Sequence, residues 1–295
     1  MSLLLAVEKF EPCFETEEQL GIAIPPQPKL LTEIENVYPE IDKVAALIAK
    51  DPKIGEGVLR VVNSPCIGLS REIVRIEQAV ILLGLDSVMN IVNSVLLQLT
   101  FGKQLRSAPL KNYWKNTMQT AIAASLLARS FPGIRSDDAF TMGLFHNCAI
   151  PLIHEKFHNY LDVIKLSYAD SSARIAMIED HKFGADHATI SHLIARAWNL
   201  PPSIIAAIRD HHNHKRLACS SRTEDEKHID RLCALLKLSE HIVKTYSTLG
   251  GQIKDYEWEM FKVPILNTLY IDPQILPRLI EDTMRKVLDS DLLYS

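Results

Sequence analysis

Apolar residues recur along this chain at spacings of three and four, the period that lines one face of an α-helix. In residues 41–50 the stripe is Val44, Leu47 and Ile48, and Asp51-Pro52 closes it. Asp86 is expected to cap a helix whose stripe runs through Met89, Val92, Leu96 and Leu99. Residues 112–130 form a long helix ended by Phe131-Pro132-Gly133, and 137–145 follow as another. Residues 184–199 stop at Leu200-Pro201-Pro202, and 203–212 resume. Residues 228–246 and 273–288 complete the series. No stretch alternates apolar and polar for long enough to make a strand, so the fold class is all-α.

Two boundaries are softer. Residues 101–110 are expected to join two helical lobes, and 214–227, polar with Ser220-Ser221 at its centre, reads as a solvated loop. The organisation expected is an N-terminal extension over 1–21, a main domain over 22–245 with lobes of about 22–105 and 106–245, and a C-terminal helical cap over 246–295. An aromatic cluster at Tyr256 and Trp258 marks the cap.

Composition narrows this picture. At 295 residues and 47% hydrophobic, the chain has ample material for a core. A formal net charge of -4 gives no footprint for duplex nucleic acid. The five cysteines, at 13, 66, 148, 219 and 233, are scattered, with no Cys-x-x-Cys pair, which fits a reducing cytoplasm. Leu3-Leu4-Leu5-Ala6-Val7 is too short for a secretory core. The most span-like stretch, 79–101, is interrupted by Gly84, Asp86, Asn90, Asn93, Ser94 and Gln98, so a buried core segment is expected rather than a membrane span.

The chemistry centres on Gly143-Leu144-Phe145-His146-Asn147-Cys148. An adjacent His-Asp on a helix holds a divalent metal through an imidazole nitrogen and a carboxylate oxygen. Here the second residue is an amide, which carries no charge, so a metal would lose neutralisation and part of its power to activate water. Further histidines follow in order. His187 shares a stripe with Ile190, Ile194, Ala197 and Trp198, and Ile204 and Ile208 lead to His211 and His212. Taken singly, each reads as a core histidine. Taken together, His146, His187, His211 and His212 form a nitrogen-only set that suits zinc, nickel or iron.

Several blocks, in order, resemble the HDOD family, relatives of the HD-domain phosphohydrolases. They are Pro25-Pro26-Gln27-Pro28-Lys29-Leu30-Leu31; Ile48-Ala49-Lys50-Asp51-Pro52 with Val58-Leu59-Arg60-Val61-Val62-Asn63-Ser64; and Ile76-Glu77-Gln78-Ala79-Val80-Ile81-Leu82-Leu83-Gly84. Then come the Gly143 to Asn147 run, Phe183-Gly184-Ala185-Asp186-His187-Ala188, Trp198-Asn199-Leu200-Pro201 and His211-His212. The resemblance implies a two-lobed helical fold with a degenerate HD-like core. HD hydrolases bind metal through an earlier His, the His-Asp pair and a later Asp. By that resemblance the positions here are Asn116, His146, Asn147 and Glu240, and only His146 is unchanged.

The resemblance therefore implies a bacterial cytoplasmic signalling module with no catalytic residue, no cofactor and no resident metal. The ligand or vestigial site is His146, Asn147, Asn116, His187, His211, His212 and Glu240. The partner implied is a regulatory protein or small ligand, in cyclic-dinucleotide or chemosensory signalling, with no nucleic acid and no membrane. A cleft between the lobes is the expected ligand site, with hinge motion as output. The alternative is a residual metal-dependent phosphohydrolase or phosphodiesterase. A rival motif, His154-Glu155-Lys156-Phe157-His158, matches the zinc-protease H-E-x-x-H pattern, with Glu179 as a conceivable third ligand. The charged Lys156 and nearby Pro151 favour a solvated helix face instead.

Overall fold

The computed structural model describes residues 21–63, 71–172, 175–213, 216 and 223–290. The expectations on Leu3 to Val7, on Ser64 and on most of the 214–227 loop lie outside these residues, as does the N-terminal extension apart from Gly21. Among the described residues every regular element is a helix and no strand occurs.

The helices up to residue 100 are α1 (Lys29–Glu35), α2 (Ile41–Lys50), α3 (Pro52–Val62), α4 (Ile76–Leu83) and α5 (Leu85–Thr100). Asp51 both ends α2 and starts α3. Its backbone is extended, and its carboxylate accepts from Lys53 N and Ile54 N at 2.9 and 3.3 Å, with Pro52 following in the first turn. Such a cap stabilises by about 1 kcal/mol. Asn63 then brackets Ile73, donating to its carbonyl and accepting from its amide, each at 2.6 Å. Between α4 and α5 the chain turns at Gly84, whose φ of 85° disfavours any side chain. Gly84, not Asp86, is therefore the N-cap of α5. The Asp86 carboxylate is spent elsewhere, accepting from the Tyr38 hydroxyl at 2.6 Å and pairing with Arg135.

A short 3-10 turn, Gln104–Arg106, separates these helices from those that follow. After it come α6 (Ala108–Ala128), α7 (Ser136–Phe145), α8 (Ile150–Lys156), α9 (Tyr160–Ala169), α10 (Ile175–Phe183), α11 (His187–Ala197), α12 (Pro202–Asp210), α13 (Glu224–Ile242) and α14 (Thr245–Thr248). The cap follows as α15 (Tyr256–Leu269) and α16 (Leu276–Ser290). The expected helices are present with ends displaced by a few residues, and α11 closes where Asn199 takes a left-handed φ of 55° before Leu200-Pro201-Pro202.

One continuous apolar cluster runs from Ile22 and Val44 through Phe145 and Trp198 to Trp258 and Val287. The segment before α1 is also tied to the end of α11 by hydrogen bonds. Trp198 Nε1 donates to Pro25 O at 3.1 Å and Gln27 Nε2 to Trp198 O at 3.3 Å. The apolar face near Trp258 is covered within the chain, where the indole stacks on His241 with ring centroids 4.2 Å apart. Among the described residues no helix is long and apolar enough to cross a membrane.

Candidate functional site

The site histidines stand at helix ends, not mid-helix. His146 is the C-cap of α7, and its successor Asn147 lies in the turn before α8. That turn is braced by Tyr113, whose hydroxyl donates to Asn147 O at 2.9 Å, and by Ser191, whose Oγ accepts from Ala149 N at 3.1 Å. His187 is the first residue of α11, and Asp186 caps that helix by accepting from Thr189 N. His211 is the C-cap of α12 and His212 follows it. Because α11 packs on α12 and α12 on α7 and α13, these ends meet in one buried place.

Each ring has its Nδ1 against an acceptor. His146 Nδ1 lies 2.8 Å from Gly143 O, and His211 Nδ1 2.6 Å from Ile208 O. His187 Nδ1 lies 2.9 Å from the Glu179 carboxylate, and His212 Nδ1 2.7 Å from Glu257 Oε1. Carbonyls accept only, as do ionised carboxylates, so in neutral His187, His211 and His212 the proton is assigned to Nδ1 and Nε2 presents a lone pair. His187 Nε2 sits 3.3 Å from His211 Nε2 and 3.1 Å from His212 Nε2. The His146 ring stands edge-on to His211, centroids 5.3 Å apart.

Electrostatics divide the cluster. Burial pushes the His211 imidazole well below its ordinary value, and His212 and Lys237 add to the fall. Burial and Lys237 bring His212 down to about 4, against the pull of Glu257. At His187 burial is outweighed by Glu179, which raises its pKa. Glu179 is wholly buried, accepts from the His187 amide and the Tyr160 hydroxyl as well, and is held below the usual carboxylate range because His187 outweighs its burial.

Besides Glu179, which sequence reasoning placed only in the zinc-protease pattern, it missed two members. Lys237 Nζ is buried, 2.7 Å from Glu240 Oε2 and 2.9 Å from Glu257 Oε2. Glu257 comes from the first turn of α15, so the cap contributes to the site. A signal for Lys237 existed: one charge within the apolar run Cys233-Ala234-Leu235-Leu236-Lys237-Leu238. A pocket lined by Tyr168, Lys237, Glu240, Glu257 and Trp258 opens beside this cluster, between α9, α13 and the cap.

The residues at the hydrolase positions do not fit a pair of metal ions. Asn116 is committed to structure: its Nδ2 donates to Val243 O at 3.2 Å and its Oδ1 accepts from Thr245 Oγ1 at 2.9 Å. Asn147 is buried and uncharged. Glu240 Oε1 lies 3.3 Å from His146 Nε2, but its other oxygen is held by the Lys237 ammonium. Of the seven site residues foreseen, His187, His211 and His212 form the tight group, His146 and Glu240 adjoin it, Asn116 binds Val243 O and Thr245, and Asn147 is buried with its main-chain carbonyl held by Tyr113. The zinc-protease pattern fails, because Phe157 leaves the helical conformation and takes His158 off the face that carries His154. Glu155 accepts from Gln104, and Glu179 serves His187.

The HDOD domain model matches residues 24–214. An uncharacterized protein of Treponema pallidum is 30% identical over 200 residues, 64% of this chain but only 38% of that relative's length. An HDOD domain protein of unknown function from Geobacter sulfurreducens has a similar structure, with a TM-score of 0.71 at 20% identity, covering 94% of this chain and 96% of that one. A Shewanella amazonensis protein provisionally named a phosphohydrolase gives a TM-score of 0.65 at 20% identity, covering 94% and 97%. A Marinobacter aquaeolei protein provisionally named for signal transduction gives 0.67 at 20% identity, covering 95% and 61%. At these identities the likeness is one of fold.

Proposed function

Because the chain belongs to the HDOD family, we propose that it is a bacterial cytoplasmic regulatory module that works by binding and not by turnover. One observation carries this reading: the last carboxylate at the hydrolase positions, Glu240, is neutralised by a lysine of its own helix, while the other two changed positions are amides. Phosphoester hydrolysis by metal ions needs anionic or water ligands that hold the ion and leave a nucleophile on it. An ammonium at 2.7 Å from Glu240 competes for that oxygen without supplying a nucleophile. The partner in this reading is another regulatory protein or a small ligand such as a cyclic dinucleotide, with neither nucleic acid nor membrane involved.

The test is an assay of the purified full chain with cyclic dinucleotides and nucleotide phosphates in the presence of Mn, Mg, Fe or Ni. No hydrolysis is the expected result. Turnover that disappears in His146→Ala would overturn the reading. The rival, a residual phosphohydrolase, has in its favour the convergence of three imidazoles, and the same assay decides between the two.

A further inference from the structure

We propose that the Nε2 atoms of His187, His211 and His212, three of the four histidines in the nitrogen-only set, bind one resident transition-metal ion of the zinc, cobalt or nickel class. It adds to the binding module whatever its partner. The argument begins with the proton assignment. Three Nδ1–H groups are anchored on acceptors, so three lone pairs face one another across 3.1 and 3.3 Å, with all three nitrogens within 4.8 Å. The Lys237 ammonium also approaches His212 Nδ1, at 3.3 Å, but Glu257 is nearer at 2.7 Å and the ammonium is engaged by two carboxylates. Facing lone pairs repel unless a cation lies between them. One proton can bridge one pair of nitrogens, whereas a metal ion satisfies all three.

The spacing suits the ion. Bonds of about 2.0–2.1 Å in tetrahedral geometry set ligand nitrogens about 3.4 Å apart. The backing of each ring suits it too: carboxylates behind His187 and His212 and a carbonyl behind His211 fix ring orientation, and the carboxylates strengthen their donors. A nitrogen-only set disfavours magnesium and calcium, which take oxygen. The site holds one ion because the remaining carboxylate, Glu240, is paired with Lys237.

The experiment strips the full chain with a chelator, adds zinc or cobalt, and measures bound metal by elemental analysis. One ion per chain is expected, with the intense visible absorption of four-coordinate Co(II). His187→Ala, His211→Ala and His212→Ala should each abolish it. Should these variants fail to fold, Glu179→Gln and Glu257→Gln keep the side-chain volume and should weaken binding roughly 10–100-fold. His154→Ala, on the surface motif of α8, should leave it unchanged. A folded chain that takes up neither zinc nor cobalt would overturn the proposal, and so would uptake lost only in His154→Ala. NMR of a metal-free cluster with a proton on His187 Nε2 and no response to zinc would also overturn it, by making the cluster a proton network. Because hydrolysis is assayed separately, this result and that of the functional reading are read apart.

Discussion

Lys237 Nζ and Glu240 Oε2 lie 2.7 Å apart, one turn from each other on α13, and both side chains are almost wholly out of water. The pair places a covalently tethered cation beside the last acid of the hydrolase set. Burial alone would raise the Glu240 carboxyl, yet Lys237, helped by His146, holds it down at about 2. Burial opposes the charge of Lys237 as well, and Glu240 with Glu257 more than offset it, to about 12.

Removing the ammonium while leaving the acids should be costly. Lys237→Met is expected to destabilise the chain by about 3–5 kcal/mol, since it leaves uncompensated buried charge. Adding Glu240→Gln should recover part of that loss. Urea unfolding of the two variants checks this, and equal stabilities would show that the pair is not the dominant interaction.

The same pair sets an acid limit. Glu240 has a folded pKa below its ordinary 4.5, so its contribution is fully present above that value and is lost as pH falls toward about 2. Lys237 and His146 favour its charged form, and Glu257 opposes it. Denaturant titrations across this window should show stability falling with pH more steeply in the natural chain than in Glu240→Gln.

Gly143 is where α7 crosses α6 at closest approach. A Cβ there would meet Ala121 Cα at 2.7 Å, Ala121 N at 3.0 Å and Thr120 O at 3.2 Å, all backbone atoms that cannot swing aside. Gly143→Ala should therefore cost about 1–3 kcal/mol. It should also displace His146, whose Nδ1 bonds to the Gly143 carbonyl. A thermal melt reads the first effect and histidine NMR shifts the second.

Asn147→Asp would put a carboxyl in a buried place, where Asn147 Oδ1 has no hydrogen-bond partner among the described residues. Burial raises the pKa of such a group, so the variant's deficit should grow as pH rises from the ordinary carboxyl value to the raised one and then level off, on the order of 1–3 kcal/mol. Combined with Asn116→His, the change should raise affinity for a divalent metal if these are the old ligand positions. Calorimetric titration showing no gain would count against that assignment.

Much of the frame was legible in residue order. Asp51-Pro52 and Asn199-Leu200-Pro201-Pro202 mark helix ends because their backbone preferences are local. Asp86 was misread because an acid before an apolar stripe looks like a cap, while the real cap, Gly84, is chosen by a backbone angle. The H-E-x-x-H pattern on α8 misled in the same way, since its spacing means nothing once Phe157 leaves the helix.

By itself, the sequence determined the all-α class, the family blocks and the amides at two hydrolase positions, one in place of a His and one in place of an Asp, because helical period and residue chemistry are carried by neighbours in the chain. Only the tertiary structure decided that Glu179 and Glu257 orient two histidines and that Lys237 occupies Glu240. Glu257 lies 45 residues from His212. Contacts of that separation are set by how helices pack, so no local pattern encodes them.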